Sequence, residues 1–152
     1  MKIIERFFSL PHVTLKDNAT WGMGIVTGNN SKFLTDHKRE QYIPVYRGSD
    51  ITKSGLKDTS LYMPKDLLLY QQAAKRELYE AKEKIIYKFI SSNLCFYNDN
   101  RQRYILNSAN FLILDTKFQL THTQLADLLN SDIVNWVFKK IFLFSVLQYG
   151  IP

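Results

Sequence analysis

The sequence predicts a mixed α+β fold, rich in short strands, with one central helix and a C-terminal amphipathic helix. Three patterns carry this. Short β-branched and aromatic runs separated by turn residues fill the N-terminal third and return at 84–97 and 111–114. A stripe at helical spacing occupies 67–81, and a capped apolar periodicity starts at Thr121. With 152 residues, 45% of them apolar and 14% aromatic, the chain has material for one domain and not for a disordered segment. Residues 1–152 are therefore read as a single domain, which would bury roughly 70% of its unfolded surface.

Taken in order, Ile3 to Phe8 before Pro11, Thr20 to Thr27 before Gly28-Asn29-Asn30, and Ile43 to Tyr46 before Gly48-Ser49-Asp50 read as strands closed by loops. Residues 29 to 41 read as an exposed connection. Leu67, Gln71, Ala74, Leu78 and Ala81 fall at steps of four and three with charges between them, predicting the central helix, although Leu67 to Tyr70 could close a strand instead. Lys84 to Ile90 and Leu94 to Tyr97, parted by Ser91-Ser92-Asn93, predict a hairpin-like pair, and Phe111 to Leu114 a further strand.

At the last helix Thr121 and Gln124 form a capping box, in which the threonine hydroxyl accepts from the amide of 124 and the glutamine side chain accepts from the amide of 121. Leu120 and Leu125 take the hydrophobic-staple positions. Leu125, Leu128, Leu129, Ile133, Trp136, Val137 and Ile141 continue that periodicity as one helix.

Charge narrows the partners. The formal net charge is +6, and basic residues outnumber acidic ones 10 to 7 over 1–70 and 7 to 4 over 71–103, but balance 3 to 3 over 104–152. An anionic partner such as nucleic acid would meet the first two thirds. The single cysteine, Cys95, lies in an apolar run and cannot form an internal disulfide, which predicts a buried thiol in a reducing, cytoplasmic setting. No apolar run approaches the about 18 residues of a membrane span, and Met1 to Arg6 lack the features of a signal peptide.

Several catalytic chemistries have no support in the residues. Gly22, Gly24 and Gly28 are spaced one residue too wide for a dinucleotide loop, and no Gly-Lys-Ser/Thr follows. His12, His37, His122 and Cys95 lack metal-ligand spacing, so no metal site is expected. Asp66 after Pro64, with Glu80 and Lys82, is similar to the metal-binding signature of many restriction nucleases. In those enzymes, however, the Glu-x-Lys lies on a strand, whereas here it falls in the predicted helix.

Five phrases in chain order resemble the TaqI-like C-terminal specificity domain, the target-recognition module of combined restriction and adenine-methyltransferase enzymes of type IIG and relatives. They are Gly24-Ile25-Val26-Thr27-Gly28-Asn29-Asn30, Pro44-Val45-Tyr46-Arg47-Gly48-Ser49-Asp50-Ile51, Lys84-Ile85-Ile86-Tyr87-Lys88-Phe89-Ile90, Leu106-Asn107-Ser108-Ala109-Asn110 and Leu128-Leu129-Asn130-Ser131. Lys88 stands where the family often has arginine. No two prolines are adjacent, so the Pro-Pro catalytic motif of the methyltransferase is absent from this chain, which looks like part of a longer enzyme.

The resemblance implies a module without catalytic residues that binds double-stranded DNA beside methyltransferase or nuclease domains of a parent enzyme. S-adenosylmethionine and divalent metal are expected in those other parts, and no cofactor in this one. For such a module, the residues suited to phosphates or base edges are Asn29, Asn30, Lys32, Arg47, Lys53, Arg101, Gln102, Arg103 and Asn107, centred on the loop Asn98 to Arg103. Alternative readings are an autonomous metal-dependent nuclease using Asp66, Glu80 and Lys82, and an assembly module docking through Phe142 to Leu147.

Overall fold

The computed structural model describes the backbone of residues 2–88 and 91–149, and the side chains of these as far as Ile141. A four-stranded antiparallel sheet forms the centre, in the order β1 (Ala19–Met23), β9 (Ala109–Leu114), β6 (Lys84–Lys88) and β7 (Phe96–Asp99). A second sheet sets β2 (Tyr42–Tyr46) between β5 (Tyr62–Pro64), antiparallel, and β8 (Tyr104–Ile105), parallel. The short hairpin of β3 (Ile51–Thr52) and β4 (Gly55–Leu56) stands beside β7.

Strand alternation divides the core in two. Ile86 and Phe111 face one side of the central sheet and join Ile25, Val45, Met63, Tyr79 and Ile105. Ile85 and Leu112, paired in register with each other, face the other side and pack with Leu114, Leu125 and Ala126. Successive side chains of a strand point to opposite faces, so a sheet covered on both sides needs apolar residues without alternation. The runs Ile85-Ile86 and Phe111-Leu112 supply them, and the predicted strands at 84 and 111 are both present.

Three expectations are corrected. Residues 3–8 form a helix, α1 (Lys2–Ser9), with no buried residue. Ile4, Phe7 and Phe8 repeat at three and four, while Glu5-Arg6 interrupts any strand alternation.

The central helix is also absent as a continuous element, although the α+β class stands. Leu67–Leu69 make a 3-10 turn, and α3 covers Arg76–Tyr79 alone. Between them the backbone of Gln72 exchanges hydrogen bonds with Val26 at 2.8 and 3.1 Å, which takes the groups a helix would use. Tyr79, fully buried, fastens the segment: its hydroxyl donates to Met23 O and accepts from Ala74 N, both at 2.9 Å.

The last helix is two. The capping box holds, with Gln124 N to Thr121 Oγ1 at 3.1 Å and Thr121 N to Gln124 Oε1 at 3.0 Å, and it starts α4 (His122–Leu129). Asn130 then breaks the run before α5 (Asp132–Tyr149). Its side chain accepts from Phe96 N at 2.8 Å and donates to Phe96 O at 2.7 Å, completing the outer edge of β7 as a neighbouring strand would. Asn135 accepts from Leu94 N at 3.1 Å just beyond. Of the predicted apolar face, Leu125 and Val137 are buried, whereas Leu128, Ile133 and Trp136 are exposed.

The expected 29–41 connection contains α2 (Asn30–Phe33). Cys95 is buried. Phe89 and Ile90, at the end of the predicted strand, lie outside the described residues, as do the side chains of Phe142 to Leu147. No helix among the described residues is long and apolar enough to cross a membrane.

Gly22 and Gly24 owe their identity to packing. A Cβ on Gly22 would lie 2.1 Å from the Phe111 ring, and one on Gly24 2.1 Å from the Leu106 carbonyl oxygen. The protein itself fills the space a phosphate or nucleotide would need. Gly24→Ala should therefore destabilise the fold by about 2–3 kcal/mol, since backbone cannot move aside, whereas Thr121→Ala should cost about 1 kcal/mol in the same urea titration.

His122 gives a pH dependence. Burial holds its imidazole below the usual 6.5, against a smaller opposing effect of Glu83, and its Nε2 accepts from Leu114 N at 3.1 Å. Above 6.5 both folded and unfolded chains carry it neutral. As pH falls from 6.5 through the lower native value, the unfolded chain takes up more protons and stability drops. Thermal melts between pH 7.5 and 5 should show that loss, and His122→Gln, which retains an acceptor, should reduce it.

Candidate nucleic-acid interface

The site is organised by an ion pair out of reach of water. Lys84 on β6 and Asp99 at the end of β7 are both fully buried and face each other across the strand pair, with Lys84 Nζ 2.5 Å from Asp99 Oδ2. Lys84 also donates to Tyr79 O at 2.7 Å. Asp99 accepts three further bonds, all from the turn that follows: Arg101 N at 3.2 Å, Arg103 N at 2.8 Å and Arg103 Nη1 at 2.9 Å. Burial alone would raise the Asp99 carboxyl, but Lys84 and then Arg103 outweigh it and hold the group below its ordinary value of 3.8.

Arg103 is thereby committed to the scaffold. Its guanidinium carbon lies 5.5 Å from the Tyr46 ring centroid and 5.8 Å from that of Tyr97, so the side chain is clamped between β2 and β7 as well as paired with Asp99. Burial opposes its charge, but Tyr46 and Asp99 raise its pKa further. Of the predicted loop Asn98 to Arg103, the parts directed outward are Asn100, Arg101 and Gln102. Asn98 is held by Glu83 at 3.2 Å and Thr123 at 3.0 Å.

Gln102 sits at φ +48°, a left-handed conformation that costs a non-glycine residue roughly 1–2 kcal/mol. The bonds to Asp99 on either side of it hold the backbone there. Two clefts flank the turn. One, of about 350 Å³, lies between Arg101 to Tyr104 and Ile43, Pro44, Tyr46 and Asp58. The other, of about 400 Å³, lies between the β3–β4 hairpin, with Lys53 at its tip, and Asn100, Thr123 and Asp127.

The remaining predicted residues fall into two groups away from this turn. Arg47 and Asn107 are exposed at the far end of the β2–β8 pair, where Gly48 N donates to Ser108 Oγ at 2.8 Å. The Asp50 carboxylate accepts from the Arg47 amide at 2.7 Å and fixes this turn without using the guanidinium. Asn29 and Asn30 do structural work at the start of α2, where Asn29 Oδ1 accepts from Lys32 N at 3.1 Å and Asn30 Oδ1 accepts from Thr27 Oγ1. Lys32 stays exposed.

What the sequence reading missed is the positioning pair. Lys84 stands at the head of an apolar strand, where a charge demands a buried partner, and that partner was concealed as one acid within a polar loop.

Residues 43–148 match the family model of the TaqI-like C-terminal specificity domain. The chain belongs to this family.

Over 55 residues it is also 54% identical to the Type II methyltransferase M.VspI of Vibrio sp. (strain 343), a stretch that is 36% of this chain and 14% of that protein. The chain thus matches a small part of that relative. Within the specificity domain, the Arg47-Gly48-Ser49-Asp50 turn and the Asn107-Ser108-Ala109-Asn110 segment lie against each other, for a Cβ on Gly48 would be 2.3 Å from Ser108 O. The segment Gly24 to Asn30 precedes the matched range but pairs with it, since Ile25 N donates to Ile105 O at 2.8 Å and Asn107 N to Ile25 O at 3.0 Å.

The two arginines of the turn should separate on mutation. Arg103→Ala removes a bond from a buried carboxylate and should cost about 1–3 kcal/mol of unfolding free energy, while Arg101→Ala should leave the thermal midpoint within a degree or two of the wild type.

Proposed function

We propose that this chain is the DNA-recognition module of a restriction-modification enzyme, directing an adenine methyltransferase, an endonuclease or both that reside elsewhere in the polypeptide or complex. The observation that carries this reading is the division of labour in the β7–β8 turn of a specificity domain. Lys84 and Arg103 are both paired with Asp99, which leaves Arg101 and Gln102 to a partner outside. Lys53 and Arg47 on other turns, and Lys32 in α2, add exposed cations suited to phosphate oxygens.

On this reading the module acts in the cytoplasm and does no chemistry itself. S-adenosylmethionine and any divalent metal belong to the parent enzyme's other domains, which are the module's protein partners. The nuclease alternative draws no support from the geometry. Asp66 caps the 3-10 turn by accepting from Leu68 N at 3.1 Å, and Glu80 accepts from the Tyr104 hydroxyl and pairs with Arg76 at 3.6 Å. Among the described residues no three His, Cys, Asp or Glu converge on a possible metal position.

Fluorescence anisotropy with random-sequence duplexes, chelator present, tests the proposal. Binding should be in the micromolar range or weaker, as for non-specific contacts, and log affinity should fall with log salt by about 0.9 per phosphate engaged. Absence of binding at low salt, or, in a parallel assay without chelator, cleavage that needs added magnesium, would sink it.

A further inference from the structure

Resting on the recognition reading above, we infer that the β7–β8 turn is a preset reader of two adjacent base pairs, a G·C pair through Arg101 and an A·T pair through Gln102. Three features of the cleft beside the turn lead there. Its outer lip carries a guanidinium, whose paired donors match guanine O6 and N7, followed directly by a carboxamide, whose donor and acceptor match adenine N7 and N6. The same cleft is lined by Asp58, an anion that repels phosphate but accepts from the amino group of cytosine. Ile43 and Pro44 add to the lining apolar surface of the kind a thymine methyl contacts. A cleft built to grip the backbone alone would not include a carboxylate in its lining.

The backbone supports reading over loose electrostatic contact. Gln102 is held at φ +48°, where glycine would be unstrained, and the bonds from Arg101 N and Arg103 N to the buried Asp99 maintain it there. Asp99 is thus a positioning residue, acting through the turn. A phosphate contact tolerates a flexible side chain. A bidentate base contact requires a backbone that presents the side chain from one place, and the strained φ retained at exposed Gln102 is accounted for by that requirement.

The test is selection of bound duplexes from a random pool by the 152-residue chain and by Arg101→Lys and Gln102→Gly. Lysine keeps the charge for a phosphate but loses the fork for guanine. Glycine relieves the left-handed strain, so its thermal midpoint should equal or exceed the wild type's and unfolding cannot explain a loss. The wild type should enrich a sequence containing adjacent G·C and A·T pairs. Each variant should relax its own position roughly tenfold to a hundredfold.

If either variant selects the wild-type sequence unchanged, if the selected sequence lacks adjacent G·C and A·T pairs, or if the wild type binds duplex in a salt-sensitive way yet selects none, the base assignment is overturned and DNA binding stands. Should the wild type not bind duplex at all, the recognition reading fails, and this inference with it.

Discussion

Lys84 and Asp99 lie where water cannot reach them, so each must be satisfied by the protein or its burial would cost several kcal/mol. Lys84 meets that demand with Asp99 and the Tyr79 carbonyl, and Asp99 with Lys84 and the turn that follows β7. Three parts of the chain are thereby fixed relative to one another: the segment ending in α3, the centre of the main sheet, and the exposed turn. Had the two positions been apolar, the strands could still pair, but nothing would dictate the path of the chain from Asp99 to Tyr104. The pair converts sheet geometry into the orientation of a surface loop.

Around this pair the fold is assembled from short elements that use side chains in place of longer secondary structure. Tyr79 ties the segment after Gln72 to the end of β1, Asn130 closes the edge of β7, and Asp50 closes the turn after β2. Each is a local economy: one polar side chain satisfies backbone groups that a further strand or helical turn would otherwise have to meet. This frees the intervening loops to present exposed cations. That arrangement separates what holds the fold from what faces solvent, even within the six residues from Asn98 to Arg103.

Legibility in the sequence followed the range of the interactions involved. The β6–β7 hairpin, β9 and the Thr121–Gln124 cap were readable because β-branched and aromatic runs and capping residues act within a few positions. The central helix was misread because its stripe at Leu67, Gln71, Ala74 and Leu78 is a local pattern, and the backbone pairing of Gln72 with Val26, 46 positions away, overrides it. Arg103 parts from Arg101 for a like reason. Beside Arg101 in the sequence it has the same chemistry, and Asp99, Tyr46 and Tyr97 decide that one arginine is a strut and the other is exposed.

The sequence by itself determined the α+β class, the positions of the principal strands, the start of α4, the basic character of the first two thirds and, through five ordered phrases, the likeness to a specificity domain. These rest on composition, periodicity and local motifs, which are properties of neighbouring residues. Tertiary structure alone decided which polar residues are spent inside, where the long apolar C-terminal pattern breaks, and which side chains share a cleft. Those outcomes depend on burial and on partners brought from far along the chain, and a charge's role changes once water is removed from around it.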